Sequence, residues 1–214
     1  MKWLLCFCCI SLVLFSGFSK VTQSVLVEIY GDLDRDKIDE KITVVELNEE
    51  GNDGKIRVLN IFKKKNNQWK LWHSSNTAIL GSEGGGMMGD PFFDKSIGIL
   101  NGVITIDHNG GSSWKWSTVH KYRLKNNEFE LIGYSTHYGK LCEYWAEFDY
   151  NLSTGKINYK KEYETCDEKT EDSTISKVED EVFYKKLKKL PNLKNINKVQ
   201  IKITTPKYKE ELIF

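Results

Sequence analysis

The chain lacks several features that mark common classes of protein. It has only 3 prolines among 214 residues, so no proline-rich linker divides it, and 31 basic side chains nearly balance 30 acidic ones. Proteins that bind nucleic acid normally carry a basic excess or a basic face, so we expect no nucleic-acid partner. No unit of roughly 20 to 50 residues repeats, which excludes solenoid and propeller architectures.

Recognisable catalytic patterns are missing as well. The G-x-S-x-G elbow that presents a nucleophilic serine does not occur. The four histidines lack the spacing of a metal-binding pair on a helix. They are His73, His108, His120 and His137. The sequence therefore assigns no catalytic residue.

The first 19 residues, MKWLLCFCCISLVLFSGFS, differ from the rest of the chain. A lysine at position 2, an apolar run and small residues up to Ser19 predict a signal peptide over residues 1–19. A retained or lipid anchor, the latter at Cys6, Cys8 or Cys9, is the alternative. We expect an exported protein, periplasmic or extracellular, that meets a membrane only through this segment.

Cleavage after Ser19 leaves two of the 5 cysteines, Cys142 and Cys166. They lie at the two ends of LCEYWAEFDYNLSTGKINYKKEYETC, which has the form strand, turn, strand. A hairpin centred on Thr154 places the two cysteines opposite each other on neighbouring strands. Because exported proteins retain disulfides, we predict one structural disulfide between them.

Short runs of alternating apolar and polar residues fill the chain from residue 25 to residue 163. Asn66-Asn67, Asn101-Gly102 and Asn126-Asn127 stand where tight hairpin turns are needed. The pattern predicts a mainly β protein, with an antiparallel meander or a barrel- or sandwich-like sheet over residues 20–166.

The last segment, residues 167–214, has a different pattern. A polar loop is expected over residues 167–176, followed by a helix over residues 178–190. Apolar residues recur there at close to helical spacing, and Pro191 follows. They are Val178, Val182, Phe183, Leu187 and Leu190. Two closing strands are expected over residues 198–204 and 207–214.

The most specific candidate for a metal site is GDLDRDKIDEKI, residues 31–42. Carboxylates at alternate positions of a tight loop can converge on Ca²⁺. The candidate ligands are Asp32, Asp34, Asp36, the Ile38 carbonyl and Glu40. However, Lys37 stands where such loops usually carry glycine, and Thr43 stands where a helix-loop-helix site has its last glutamate. A bound Ca²⁺ and a charged, hydrogen-bonded turn are therefore both open.

Three stretches carry a resemblance to known proteins: the acidic loop, EGGGMMGDPFF at residues 83–93 and IDHNGGSSWKWSTVHKYRLKNNEFELIGYS at residues 106–135. The first resembles the single acidic loop that opens FG-GAP/VCBS-like β units. Together the three resemble a group of exported bacterial β proteins without an assigned activity, over residues 25–160. The resemblance implies an exported all-β fold and no particular chemistry.

A ligand cleft is the second candidate site. Trp114, Trp116 and His120 share one face of a predicted strand, whereas Arg123 lies on the other. The aromatic side chains are either core residues or a platform on which a ligand stacks. For the second case we expect the cleft to contain six residues. They are Glu83, Asp90, Trp114, Trp116, His120 and Arg123.

Three functions remain open at this point. The leading one is a non-enzymatic binding module for a protein or glycan. The alternative is a secreted hydrolase acting on a glycan, which needs two carboxylates from Glu83, Asp90 and Asp107 paired across a groove. The third is a purely structural envelope protein, which would bury Trp114 and Trp116 completely.

Overall fold

The computed structural model describes residues 23–167, 172–196 and 200–213, so the predicted signal peptide lies outside it. The described part begins with a four-stranded antiparallel meander, in which each strand pairs with the next. Its strands are β1 (Gln23–Gly31), β2 (Glu40–Gly51), β3 (Gly54–Lys65) and β4 (Gln68–Ser75).

A second, seven-stranded meander follows, and it is also antiparallel throughout. Its strands are β5 (Ile97–Leu100), β6 (Val103–Gly111), β7 (Lys115–Lys125), β8 (Glu128–Lys140), β9 (Tyr144–Asn151), β10 (Lys156–Cys166) and β11 (Ser173–Tyr184). Two one-turn 3-10 helices, Gly86–Met88 and Asp94–Ser96, lie between the sheets in sequence. A short hairpin, β12 (Lys202–Thr204) with β13 (Glu211–Ile213), closes the chain. The mainly β, antiparallel prediction is confirmed.

The predicted hairpin turns form where the asparagines indicated. Asn66 and Asn67 have φ of 51° and 58°, and Asn126 and Asn127 have φ of 49° and 59°. At the third turn, Asn101 and Gly102 have φ of 53° and 72°. Two successive residues with positive φ give the turn whose twist matches that of the flanking strands. These turns explain why neighbouring strands in the sequence are also neighbours in the sheets.

The two sheets share one hydrophobic core. From the first sheet, Ile42, Val44, Leu59 and Ile61 are buried against the inner face of the second. Every second side chain of each strand points towards that inner face. It contains Ile104, Ile106, Tyr122, Phe129, Leu131, Tyr134, Phe148, Tyr150 and Ile157, all buried. We refer to this part of the inner face as the covered end.

The inner face continues beyond the covered end on β7, β8, β9 and β10. Trp116, Thr136, Tyr144 and Ala146 lie there and are only partly buried, and Tyr138 is 40% exposed. We refer to this part as the open end. The sandwich-like packing of the two sheets therefore covers one part of the second sheet and leaves another part accessible.

The predicted helix over residues 178–190 is wrong. Residues Ser173–Tyr184 instead form β11, which pairs along its whole length with β10. Val178 and Val182 are 47% and 54% exposed on the outer face, whereas Glu179 is buried. β-branched and aromatic residues favour a strand once a pairing edge is present, and β10 supplies that edge. Among the described residues, no helix has the length and apolar composition to cross a membrane.

The predicted disulfide is confirmed, with a Cα–Cα distance of 5.1 Å between Cys142 and Cys166. The register behind the prediction was wrong by one residue. Lys156 pairs with Asn151 and Tyr163 with Tyr144, so Cys166 has no partner directly opposite it in β9. Cys142 instead lies in the turn before β9, with a φ of 68°. The turn brings the two cysteines together.

Candidate functional site

The acidic loop is a tight turn held by its own carboxylates. Asp32 accepts hydrogen bonds from the backbone N–H groups of Arg35 (2.6 Å) and Lys37 (2.9 Å). Asp36 accepts one from the N–H of Ile38 (2.8 Å). Lys37 has a φ of 68°, the left-handed conformation that a glycine adopts more readily. The loop thus forms the glycine-like turn with a lysine in its place.

Three carboxylates of the loop converge. Ligand atoms of Asp32, Asp34 and Glu40 lie within 4.8 Å of one another. Glu40 is only 1% exposed, and its carboxylate accepts a hydrogen bond from the N–H of Leu33 at 2.8 Å. Burial raises the pKa of Glu40, and the nearby carboxylate of Asp34 raises it further. Such an all-oxygen donor set suits a hard cation.

A lysine from the first sheet reaches the same carboxylates. The Lys63 ammonium group, on β3, binds Asp34 and lies 3.5 Å from Asp36. Lys63 therefore neutralises part of the negative charge that a metal ion would neutralise. Of the four carboxylates predicted as ligands, the structure brings Asp32, Asp34 and Glu40 together, and Asp36 is held at the edge of the group by Lys63 and its bond to the Ile38 N–H.

The glycine-rich loop is fixed to both sheets. The carboxylate of Asp90 forms two hydrogen bonds with the guanidinium group of Arg57 (2.6 and 2.5 Å), which also binds Glu46 at 3.0 Å. Burial opposes ionisation of Asp90, but hydrogen bonds from Arg57 and Phe92 hold its pKa below its usual value. On the second sheet, the Gly111 N–H donates to the Gly85 carbonyl at 2.8 Å. Asp90 thus anchors a loop.

The loop crosses β6 where side chains would not fit. A Cβ atom on Gly110 would lie 2.6 Å from the Gly85 carbonyl oxygen and 2.7 Å from the Trp116 ring. Glycine at position 110 is therefore needed for the close approach of the two backbones.

The residues predicted for one cleft are distributed over different surfaces. Arg123 lies on the outer face of β7, where it contacts grooves beside Ile132 and Ser153, whereas Trp116 and His120 lie on the inner face. Glu83 stands at the other end of the glycine-rich loop, with its N–H bonded to the Asp53 carbonyl. A shared cleft containing Arg123 and His120 is therefore not formed.

The carboxylates predicted for the hydrolase alternative are also separated. Asp107 lies on the outer face of β6, where burial raises its pKa, and the inner-facing neighbour on the same strand is His108. Asp90 lies on the inner side, bonded to Arg57. Alternation along β6 therefore places the sheet between Asp107 and Asp90.

At the open end, four aromatic rings form a continuous row across the sheet. Trp114 and Tyr138 are stacked, with ring centroids 5.2 Å apart and an interplanar angle of 12°. The Tyr144 ring lies 5.2 Å from Trp114, and Tyr163 lies 6.0 Å from Tyr144. We call Trp114, Tyr138, Tyr144 and Tyr163 the aromatic row. Trp114, predicted for the cleft, belongs to it and is not fully buried.

Cations border the aromatic row. The Lys161 ammonium group lies 4.3 Å from the centroid of Tyr144 and 4.9 Å from that of Tyr163. Burial opposes the charge of Lys161, but bonds to Tyr163 and Glu210 raise its pKa overall. Lys140 lies 5.8 Å from the Trp114 ring. The row therefore combines ring faces with charged hydrogen-bonding groups, the combination that a polar ligand with apolar patches requires.

Sequence reasoning missed Tyr138, Tyr144 and Tyr163. Their signal was present, because Tyr138 and Lys140 alternate with outward-facing residues, as do Lys161 and Tyr163. Their adjacency depends on the registers of β8, β9 and β10, and these registers could not be predicted from the sequence.

Comparison with known proteins assigns this chain to no family. No family model matches this chain, and no curated protein matches it.

Proposed function

We propose that this chain is an exported, non-enzymatic β protein that binds a glycan through the aromatic row. One observation carries the proposal: four adjacent rings cross the open end of the inner face, and Tyr138 among them is 40% exposed. Rings that served only the core would be buried, as Tyr122 and Tyr150 are at 1% and 0% exposure.

A glycan suits this surface for physical reasons. The apolar faces of sugar rings stack on aromatic side chains, while their hydroxyl groups need hydrogen-bond donors and acceptors nearby. Lys140, Lys161 and Glu210 stand at the edge of the row and supply both kinds of group. A protein partner would also use exposed aromatic residues, so it is the competing outcome of the test.

The disulfide supports a binding role at this end of the sheet. It joins the turn before β9 to the end of β10, next to Tyr144 and Tyr163. The Glu164 N–H donates to the Glu143 carbonyl at 2.9 Å across the same gap. A platform that is held in place loses little freedom when a ligand binds, which favours affinity. The disulfide and the signal-like residues 1–19 together support export.

The proposal is tested by retention of the mature protein on a panel of immobilised polysaccharides. We expect the wild-type protein to be retained by at least one of them, and Trp114→Ala and Tyr138→Ala to lose that retention. Trp145→Ala is the matched control, because Trp145 stacks on His137 on the outer face of the same sheet. Retention of no polysaccharide by the wild-type protein, or equal retention of all variants, would contradict the proposal.

The acidic loop supports a second, structural proposal: it binds Ca²⁺, and Lys63 competes for the same carboxylates. Asp32, Asp34 and Glu40 would hold the ion, which would supply positive charge and fix the turn before β2. The specific observation is that Lys63 already places an ammonium group on Asp34. The carboxylates therefore already accept one cation, and a metal ion would take the place of the lysine ammonium group.

Thermal unfolding in Ca²⁺ and in EDTA tests the loop. A Ca²⁺ concentration about a hundredfold above Kd stabilises the folded state by about 2.7 kcal/mol. We expect Lys63→Met to bind Ca²⁺ more tightly than the wild-type protein, because the competing ammonium group is gone. Lys65→Met, on the same strand, is the control. Identical melting curves in Ca²⁺ and EDTA for both the wild-type protein and Lys63→Met would refute the site.

A further inference from the structure

A cavity of about 260 Å³ opens between the inner face of the second sheet and the segment that follows β4. One wall is formed by Trp116, Thr118 and His120 of β7 with His108 of β6, and the other by Ala78 and Leu80. The lining is mainly apolar and aromatic, with a few polar groups. Ligand sites for small molecules have this composition.

The walls of the cavity are fixed by hydrogen bonds. The Leu80 N–H donates to Nε2 of His108 at 3.2 Å, which ties the segment after β4 to the sheet. Ser75, at the end of β4, donates from its hydroxyl to the Leu193 carbonyl at 2.5 Å. The segment that forms one wall is therefore tied to the sheet at Leu80 and anchored at its start by Ser75, so a ligand would enter a preformed space.

His120 lines the cavity and carries one unsatisfied polar atom. Its Nδ1 atom is buried and has no hydrogen-bond partner among the residues that the structure describes. The ring packs between Tyr122 and Tyr134, with centroid distances of 6.2 and 5.0 Å. An unpaired buried polar atom costs about 1–3 kcal/mol, and a bound molecule with a hydroxyl or amine could remove that cost after rotation of the imidazole ring. His108, in contrast, already has a partner.

We propose that this cavity binds a small aromatic molecule with one polar substituent, whose ring lies between Trp116, Ala78 and Leu80 and whose polar group bonds to His120. The volume supports a single ring or a small fused pair, since an apolar cavity of about 150 Å³ is enough for benzene. The site is separate from the aromatic row and does not depend on glycan binding.

Titration with p-cresol and toluene tests the proposal, because the two differ only by a hydroxyl group. Backbone amide resonances of Ala78, Leu80 and Thr118 report on the cavity walls. We expect both compounds to shift these resonances saturably and p-cresol to bind about fivefold more tightly than toluene. Absence of saturable binding of either compound to the wild-type protein, or shifts confined to other residues, would overturn the proposal.

Three variants sharpen the test. Thr118→Phe fills the cavity and should abolish binding of both compounds. Val119→Phe, on the adjacent, outward-facing position of β7, should leave it unchanged. His120→Phe keeps a ring but removes its nitrogens, so it should bind the two compounds equally. Binding by a folded Thr118→Phe protein, or a preference for p-cresol that persists in His120→Phe, would contradict the assignment, and the wild-type titration decides the case if a variant does not fold.

Discussion

The covered and open ends of the inner face belong to the same strands but have different surroundings. On β8, Leu131 and Phe129 are 0% and 1% exposed against the first sheet, whereas Tyr138, at the other end of the strand, is 40% exposed. Phe129 packs against Trp72 and His73 of β4, with ring distances of 5.7 and 5.0 Å. Tyr138 instead contacts Trp114 and Tyr144, from its own sheet.

The number of aromatic residues on a strand face does not reveal their role. Both ends are rich in rings, and the first sheet covers one end and not the other. Rings under the cover stabilise the fold through burial and packing. Rings beyond it have accessible surface that a ligand can use.

The largest expected loss of stability comes from a substitution at the covered end. Phe129→Ala removes a fully buried ring from the contact between the sheets and should lower the free energy of unfolding by about 3–5 kcal/mol. Urea denaturation monitored by circular dichroism measures this difference. Tyr138→Ala is the comparison on the same strand. An equal loss of stability in the two variants would remove the distinction between the ends.

The disulfide, which lies at the open end, should contribute less to the free energy of unfolding than the Phe129 side chain does. Cys142 and Cys166 are separated by 24 positions, and closing a loop of that size stabilises a protein by about 3 kcal/mol through the unfolded chain. The double variant Cys142→Ser, Cys166→Ser should unfold at a correspondingly lower urea concentration. Hydrogen exchange should increase most near Tyr144 and Tyr163. A uniform increase in hydrogen exchange across both ends would contradict a local stabilising effect of the disulfide.

Acidification should lower the stability of the fold through two buried histidines of the inner face. Burial lowers the pKa of His108 to about 3 and that of His120 to about 4. The unfolded chain binds protons on both residues below about pH 6.5, whereas the folded protein does not, so stability falls as the pH decreases. Between about pH 7.5 and pH 5 the loss should be about 2 kcal/mol for each histidine.

His120→Phe isolates this contribution. Its stability should fall by about 2 kcal/mol less than that of the wild-type protein over the same pH range. Glu40 acts in the opposite direction, because burial raises its pKa and protonation favours the folded state. Its effect cancels in the difference between the two proteins. Parallel pH profiles would show that His120 titrates normally.

The smallest expected effect on stability is that of Tyr138→Ala, at less than about 1 kcal/mol. The partly exposed ring leaves no closed cavity when it is removed. The same urea titration measures it, and a loss as large as that of Phe129→Ala would show that Tyr138 is a core residue.

Local features of this chain were predictable from its sequence. The three asparagine-containing turns could be predicted because asparagine and glycine adopt positive φ readily. The alternation of inward and outward side chains along β7 could be predicted as well. The disulfide was predicted correctly although the register was wrong by one, since a turn residue has enough freedom to bring Cys142 to Cys166.

Features that depend on distant partners were not predictable. The segment containing Val178 and Val182 has apolar spacing that suits either a helix or a strand, and only its pairing with β10 decides between them. Predicting the aromatic row would have required the pairing registers of three strands, β8, β9 and β10. Lys63 is 29 positions from Asp34, and no local pattern connects the two.

The affinity of the wild-type protein for a polysaccharide that retains it tests the proposed binding surface most directly. Isothermal titration calorimetry on the wild-type protein, Tyr138→Ala and Trp145→Ala compares the two faces of one sheet. We predict that Tyr138→Ala binds at least about tenfold more weakly, a loss of about 1.4 kcal/mol, while Trp145→Ala binds as the wild-type protein does. Equal dissociation constants for all three proteins would contradict the assignment of the aromatic row as the binding surface.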